Sequence, residues 1–191
     1  MEFPSCRPRQ RAAAHARALV AAIALALLSG CGLFGSSSAK DEKSAATCPA
    51  AAILRPLAQT AVFAPGAKPQ PMGVAFYGVL SEVNAQCERA GDAVRASLDV
   101  VVVGERGAAA KGDAVDLQYF VAVTGADQSI LSKRSFPVQI TIPPGTRRAG
   151  VTDHIEETIP LGGRPASELN IVLGFQQGPE VVEFYKQFRG R

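Results

Sequence analysis

His154 is the side chain in this sequence that is best suited to proton transfer. It follows Asp153 and precedes Glu156 and Glu157, so a neighbouring carboxylate could orient it as a general base. Nucleophilic catalysis also needs an activated Ser or Cys, and the sequence has no G-x-S-x-G nucleophile turn. One His with these acids is too few ligands for a typical metal site, although Ca²⁺ on the clustered acids stays open. We therefore expect a solvent-facing His154 and predict no catalytic, cofactor-binding or metal site.

Two further stretches have compositions that occur in anion-binding loops. Arg147 and Arg148 follow Pro143-Pro144-Gly145, and paired guanidinium groups can bind phosphate or an acidic partner. Such a pair more commonly belongs to a solvated loop, and we interpret it in that way. Residues 162–165 are rich in glycine but lack the Lys-Ser/Thr ending of a phosphate-binding loop. Neither stretch predicts nucleotide chemistry.

The first 31 residues have the layout of an export signal. Four arginines and no lysine make residues 7–17 basic, and an apolar run follows over residues 18–28. At about 11 residues this run is shorter than the roughly 20 that a membrane-spanning helix needs. It leads into Leu28-Ser29-Gly30-Cys31, where two small residues precede a cysteine.

This order resembles a bacterial lipoprotein precursor, whose lipobox is a Leu, two small residues and a Cys. The resemblance implies that residues 1–30 are a cleaved signal peptide and that Cys31 carries a diacylglyceryl thioether, with palmitate among the acyl chains. Two acyl chains anchor a protein stably, whereas one gives marginal binding. Gly32, in place of an Asp that would retain the protein in the inner membrane, favours the periplasmic face of the outer membrane. The alternative is an ordinary signal whose junction happens to contain a cysteine.

Residues 31–47 then comprise the lipidated cysteine and a tether. Small and charged residues dominate this stretch and cannot form a core, so we expect a flexible segment that reaches roughly 20–25 Å. Residues 48–191 are expected to form one domain. Without the leader the chain has 16 basic and 16 acidic residues, which predicts no basic face for nucleic acid.

Cys48 and Cys87 are the two cysteines left once Cys6 has been removed with the leader and Cys31 has been lipidated. An even pair in an oxidising compartment predicts a disulfide. It would close a loop of about 40 residues and stabilise the fold by roughly 4 kcal/mol in the chain-entropy model. A metal pair or a redox pair remains an alternative, although no His lies nearby and the C-x-x-C spacing is absent.

Alternating apolar residues predict strands throughout residues 48–191. The alternation is clearest at residues 136–142, where Pro137 lacks an N–H and is expected on a sheet edge. Residues 93–103 are apolar on both sides near their end, which is typical of a central strand. Residues 51–63 are ambiguous apart from their last three. The predicted strands are residues 61–63, 72–86, 93–103, 117–123, 130–142, 151–161 and 170–176.

Connections between these strands are predicted from Gly, Pro and charged residues. Gly78 interrupts an alternating segment and is expected at a β-bulge. Residues 88–92 are expected to form a turn, residues 104–113 a long loop, and residues 125–128 a hairpin connection. Apolar residues at helical spacing after Pro179 predict a short C-terminal helix.

About seven strands with this punctuation predict an all-β fold, an antiparallel β-sandwich with a short C-terminal helix. The pattern resembles immunoglobulin-like or fibronectin type III-like domains only loosely, since the immunoglobulin Trp is absent. The whole layout resembles uncharacterised lipoproteins of the Gram-negative envelope.

These observations favour a non-enzymatic, lipid-anchored envelope protein that serves as a structural or protein-binding module. The expected partners are membrane lipid, through Cys31, and other envelope proteins. The alternative is a periplasmic small-molecule or ion-binding lipoprotein, which an apolar cavity would support. A hydrolase that uses His154 is less favoured.

Overall fold

Two four-stranded sheets pack face to face in the computed structural model, which describes residues 48–188. The predicted signal peptide over residues 1–30, the predicted lipid attachment at Cys31 and the predicted tether over residues 31–47 lie outside the described residues. The all-β sandwich is confirmed. It has eight strands, because the ambiguous residues 51–63 contain two strands separated by a short 3₁₀ turn, Arg55–Leu57.

The first sheet has the order β1-β8-β5-β6 and the second has the order β2-β3-β4-β7. Neighbouring strands are antiparallel, except that β1 runs parallel to β8. The strands are β1 Ala50–Ile53, β2 Gln59–Phe63, β3 Val74–Ala90, β4 Ala93–Arg106, β5 Ala114–Thr124, β6 Ile130–Thr141, β7 Arg148–Pro160 and β8 Asn170–Phe175.

The core lies between the sheets and follows the alternation of the sequence. In β4 every second side chain is fully buried, namely Val94, Ala96, Leu98, Val100 and Val102. This strand lies between β3 and β7, so the prediction of a central strand is confirmed. Burying an aliphatic side chain of this size stabilises the fold by about 1.5–3 kcal/mol, which makes this strand a main source of stability.

The bulge predicted at Gly78 is wrong. Gly78 pairs in regular register with Thr60 and Gly104, and β3 is bulged a few residues later, between Leu80 and Glu82. The glycine is needed because the sheets approach closely here. A Cβ atom at Gly78 would lie 2.8 Å from Cδ1 of Leu117, on the opposite sheet.

Two other boundaries also differ from the predictions. The expected turn over residues 88–92 is shorter, because β3 continues to Ala90 and the chain reverses at Gly91 and Asp92. Gly91 has φ 65°, a left-handed conformation that suits glycine in a tight hairpin. The expected loop over residues 104–113 begins later, because ladder pairing with β3 carries β4 to Arg106.

The predictions for the last part of the chain are confirmed. Pro137 lies on β6, an edge strand. Its nitrogen faces the side of β6 that has no neighbouring strand, so the sheet loses no hydrogen bond through the missing N–H. Helix α1, Pro179–Phe188, follows β8. Its Phe184 packs edge-on against Phe63, with ring centroids 5.4 Å apart, in a small apolar cluster of its own.

A disulfide joins Cys48 to Cys87, as predicted. The two Cα atoms are 5.2 Å apart, and 39 positions separate the residues in sequence. A loop of this length corresponds to a stabilisation of about 4 kcal/mol in the chain-entropy model. The bond ties the first described residue to β3, a strand of the second sheet.

Side-chain contacts close the sandwich along the seam where β5 and β6 face β7. The Tyr119 hydroxyl donates to Oδ2 of Asp153 at 2.7 Å, and the Tyr119 side chain is fully buried. The Arg134 guanidinium donates to Oε1 of Glu157 at 2.8 Å. Both contacts cross from the first sheet to the second, so they fix the position of one sheet relative to the other.

Replacing Tyr119 with Phe should lower the free energy of unfolding by about 1.5–3 kcal/mol, because the buried hydroxyl donates to a charged acceptor. Urea unfolding of both proteins measures the difference. Tyr77→Phe is the matched control, since the Tyr77 hydroxyl has no hydrogen bond to another described side chain or backbone group. Its effect should stay within about 0.5 kcal/mol. Equal effects of the two variants would contradict a stabilising role for the Tyr119–Asp153 contact.

Stability should also fall in alkaline solution. Burial, the hydrogen bond to Asp153 and the charge of that carboxylate all raise the pKa of Tyr119 well above its usual value. Above about pH 10 the unfolded chain therefore loses this proton while the folded chain keeps it, so rising pH favours unfolding. Burial also raises the pKa of Tyr185, to about 12, and adds to the decline. Unfolding curves between about pH 8 and 11 should show a shallower decline in Tyr119→Phe, and an unchanged slope would contradict this account.

Candidate functional site

His154 lies on β7 with its side chain on the outer face of the second sheet, 75% exposed. Its Nδ1 contacts Oδ1 of Asp99 on the neighbouring strand β4. Asp153, which the sequence offered as the orienting carboxylate, alternates to the inner face and bonds to Tyr119 instead. The structure thus gives His154 a solvent-facing position, and its nearest carboxylate comes from another strand.

The predicted pair of loop arginines is divided by the structure. Arg147 donates from Nε to Oε1 of Glu105 at 2.8 Å. Arg148 is already the first residue of β7 and pairs in register with Glu105. The expectation that both belong to one solvated loop is therefore wrong for Arg148, because β4 extends far enough for Glu105 to pair with it in the sheet.

Within residues 48–188 no group of three or more His, Cys, Asp or Glu side chains is arranged to hold a metal ion. In the same part of the chain, no helix has the length and apolarity to cross a membrane. The sandwich also has concave surfaces of a size that can bind a ligand.

A cleft opens between β2, at the edge of the second sheet, and the first half of β5 in the first sheet. It has two sections, with volumes of about 450 Å³ and about 390 Å³. Val62, Phe63 and Asp116 line both sections, so the sections adjoin. Binding clefts for ligands typically have volumes of roughly 300–1,000 Å³, and each section falls within that range.

The two sections differ in chemistry. The larger one is bordered by Gln118 and Gln176 and by the carboxylates of Asp116 and Glu180. The smaller one is mainly apolar, with Lys111 as the cation among its described lining residues. Its apolar lining residues include Val62, Phe63, Ala75, Phe76 and Val115.

Backbone hydrogen bonds define which groups of β2 are used within its own sheet. The Leu80 N–H donates to the Ala58 carbonyl at 2.8 Å, just before β2 begins. Groups in an antiparallel ladder alternate in direction, so Thr60 and Val62 also bond to β3. The residues between them must direct their N–H and C=O groups to the opposite side of the strand.

The outer edge of β2 therefore presents backbone groups to the cleft. Gln59 follows this rule, since its carbonyl accepts a hydrogen bond from Nε2 of Gln177 at 2.6 Å on that side. Ala61 and Phe63 have the same orientation. No strand within the described residues pairs with this edge.

The first half of β5 is open on the side that faces the cleft. The Gln176 N–H donates to the Gln118 carbonyl at 3.4 Å, directly after β8 ends. The even-numbered residues of β5 therefore direct their backbone groups to this side. Ala114 and Asp116 lie beyond the end of β8, so within residues 48–188 they have no strand partner there.

Arg106 holds the loop that borders the apolar section. Its Nη2 donates at 2.7 Å to the Ile142 carbonyl and at 2.7 Å to Oδ1 of Asp113. Its Nε donates to the Thr146 carbonyl at 3.3 Å. One side chain thus connects the end of β4 with the β4–β5 loop and the β6–β7 loop, and it fixes the mouth of the cleft.

The sequence did not indicate this cleft, because none of its lining residues forms a motif. The cleft arises from a difference in strand length that the sequence analysis did not detect: β5 has 11 residues and β8 has six. Pro179, the first residue of α1, was predicted from the sequence as a helix start. Comparisons of the chain with protein-family models, with curated proteins and with solved structures find no match.

Replacing Arg106 with Met should lower the free energy of unfolding by about 2–4 kcal/mol, because several backbone carbonyls lose a charged donor. Hydrogen exchange of residues 107–113 should quicken more than exchange in β4. Arg148→Met is the matched control, since that side chain is exposed, and it should change stability by less than about 0.5 kcal/mol. Unchanged exchange in the loop would contradict the role given to Arg106.

Proposed function

We propose that this chain is a non-enzymatic, lipid-anchored protein of the bacterial envelope whose β-sandwich binds other envelope proteins at the periplasmic face of the outer membrane. The cleft between two open strand edges is the observation that carries the binding role. Open edges are the usual sites at which sheets take up extended segments of other proteins. The lipobox at Leu28-Ser29-Gly30-Cys31 supports the anchor and the location.

The disulfide supports the same location. Disulfides persist in oxidising compartments such as the periplasm and are rare in the cytosol. Cys48 and Cys87 are bonded to one another, so the thiol of Cys31 is free of that pairing and available for a lipid. The polar residues between Cys31 and Cys48 would let the domain move a short distance from the membrane surface.

A second candidate is a small-molecule carrier, which the apolar section of the cleft favours. Its volume of about 390 Å³ would suit a modest apolar ligand. Native mass spectrometry of the protein from membranes distinguishes the two functions. A stoichiometric non-covalent small molecule that survives purification supports the carrier, and a protein with covalent lipid alone opposes it.

The anchor predicts the intact mass of the protein from the membrane fraction of a Gram-negative host. The chain should begin at Cys31, carry added lipid mass and gain two hydrogens on reduction, since Cys48 and Cys87 are bridged. Cys31→Ser should remove the lipid and release the protein from membranes, whereas Cys6→Ser, the control, should change neither. A soluble wild-type chain without lipid would overturn the proposed anchor.

A further inference from the structure

We propose that the cleft receives an extended segment of a second envelope protein, which adds as a β-strand between β2 and the first half of β5. The proposal rests on the binding role given above and specifies its site and the chemistry of the partner. The occupant is an alternating apolar segment that carries a Lys or Arg. Backbone groups, side chains and charges at the cleft each support this occupant.

Two strand edges are open on the same side of the sandwich, one in each sheet. Ala61 and Phe63 direct their N–H and C=O groups into the cleft from the second sheet, and Ala114 and Asp116 do so from the first. Strands that share hydrogen bonds lie about 4.8 Å apart, and packed sheets lie about 10 Å apart. The first spacing lies in the plane of a sheet and the second is perpendicular to it, so an added strand extends whichever of the two edges it bonds to and lies beside the other sheet.

The side chains of an added strand would cover the apolar section of the cleft. Side chains of a strand alternate, so every second residue of the occupant would point inward. There it meets the apolar section, where Val62, Phe76 and Val115 approach the surface of the core. Small or medium aliphatic residues at alternate positions fit that section, and polar residues between them remain in water.

β2 differs from β6, a longer edge strand, in a way that favours pairing. Edge strands commonly carry charges or proline, which prevent association. β6 has both, with Lys133, Arg134 and Pro137. The five residues of β2, Gln59 to Phe63, include no charge and no proline, so β2 lacks this protection.

The charges that line the larger section indicate a cationic side chain on the occupant. Asp116 and Glu180 supply two carboxylates to the larger section, whose described lining residues include no Lys or Arg. Asp116 accepts a hydrogen bond from Nε2 of Gln139 at 2.8 Å, which leaves its negative charge in place. A cationic side chain of the occupant would complement this end and fix the direction in which the strand enters.

The segment that precedes the domain does not have this chemistry. Between Gly32 and Thr47 the large apolar residues are Leu33 and Phe34, directly beside Cys31. The described chain begins at Cys48, which is bonded to Cys87. Cys87 lies 11 positions along β3 from Phe76 and thus roughly 35 Å from the apolar section. These two observations favour an occupant from another protein.

The test uses the full chain and a labelled synthetic peptide of about nine residues that alternates Val with Thr and carries one central Lys. The control peptide has the same composition with the Val residues adjacent to one another. Fluorescence anisotropy should show binding of the alternating peptide at least about tenfold tighter than binding of the control. Bound peptide should slow hydrogen exchange of the Ala61 and Phe63 amides, or of the Ala114 and Asp116 amides.

Two substitutions by proline test the backbone hydrogen bonds to the added strand. Asp116→Pro removes an N–H that faces the cleft and should weaken peptide binding at least about fivefold. Gln139→Pro is the matched control, because Gln139 lies opposite Asp116 and its N–H faces the outer edge of β6. Both variants must keep the unfolding transition of the wild type. If Asp116→Pro unfolds the protein, Ala61→Pro replaces it.

A charge substitution tests the direction of the strand. Glu180→Gln should weaken binding of the Lys peptide about two- to fivefold, with a smaller effect at high salt. Glu183→Gln, on the same helix but paired with Lys186, should leave binding unchanged. A peptide without the Lys should be insensitive to both.

Three results would overturn the proposal. They are no binding of the alternating peptide up to about 1 mM, protection of the β6 edge in place of the cleft, and a concentration-dependent dimer that buries the cleft with a second copy of this chain. The binding assay does not depend on the lipid. Loss of the anchor in the mass measurement and loss of peptide binding are therefore separate outcomes.

Discussion

Burial of alternate side chains from β4 and β5 holds the two sheets together, and the remaining features depend on that contact. The sheets approach closely enough at Gly78 that a Cβ atom there would contact Leu117. Such a close approach brings Tyr119 within reach of Asp153 on the facing sheet. The seam beside β7 is therefore closed by directional bonds in addition to apolar packing.

The opposite seam is closed less completely among the described residues, by the Gln177 side chain just after β8. Because β8 stops at Phe175 and the chain leaves through Gly178 and Pro179, the first half of β5 extends past its neighbour. The departing chain crosses the edge of the second sheet, where Gln177 bonds to the Gln59 carbonyl, and forms α1 on the outer surface. The open first half of β5 and the helix that follows β8 thus have one cause, the early end of β8.

Much of this fold could be predicted from the sequence, because period-two alternation reports burial directly. The edge position of Pro137 followed from its missing N–H, and the Cys48–Cys87 bond followed from an even cysteine pair. Gly78 was misinterpreted because the sequence records only that a side chain is absent. A bulge and a close approach of two sheets require the same residue.

The candidate site was beyond the sequence for a related reason. A cleft between β2 and β5 depends on which strands are neighbours and on where each ladder ends. Those are long-range properties, and the pairing of β1 with β8 joins residues some 120 positions apart. His154 and the two arginines were conspicuous by residue type, yet the structure places the cleft elsewhere, among residues with no distinctive chemistry of their own.

The disulfide has a mechanical consequence. Tension on the chain ahead of Cys48 passes through the Cys87 sulfur into β3 and bypasses β1, which is held by only four residue pairs with β8. Between Cys87 and the cleft the load would run lengthwise along β3, which is bonded to β4 throughout that length. A force along a strand strains many ladder bonds at once, whereas a force across its end opens them one after another. The covalent link therefore converts a weak point of attachment into one that resists pulling.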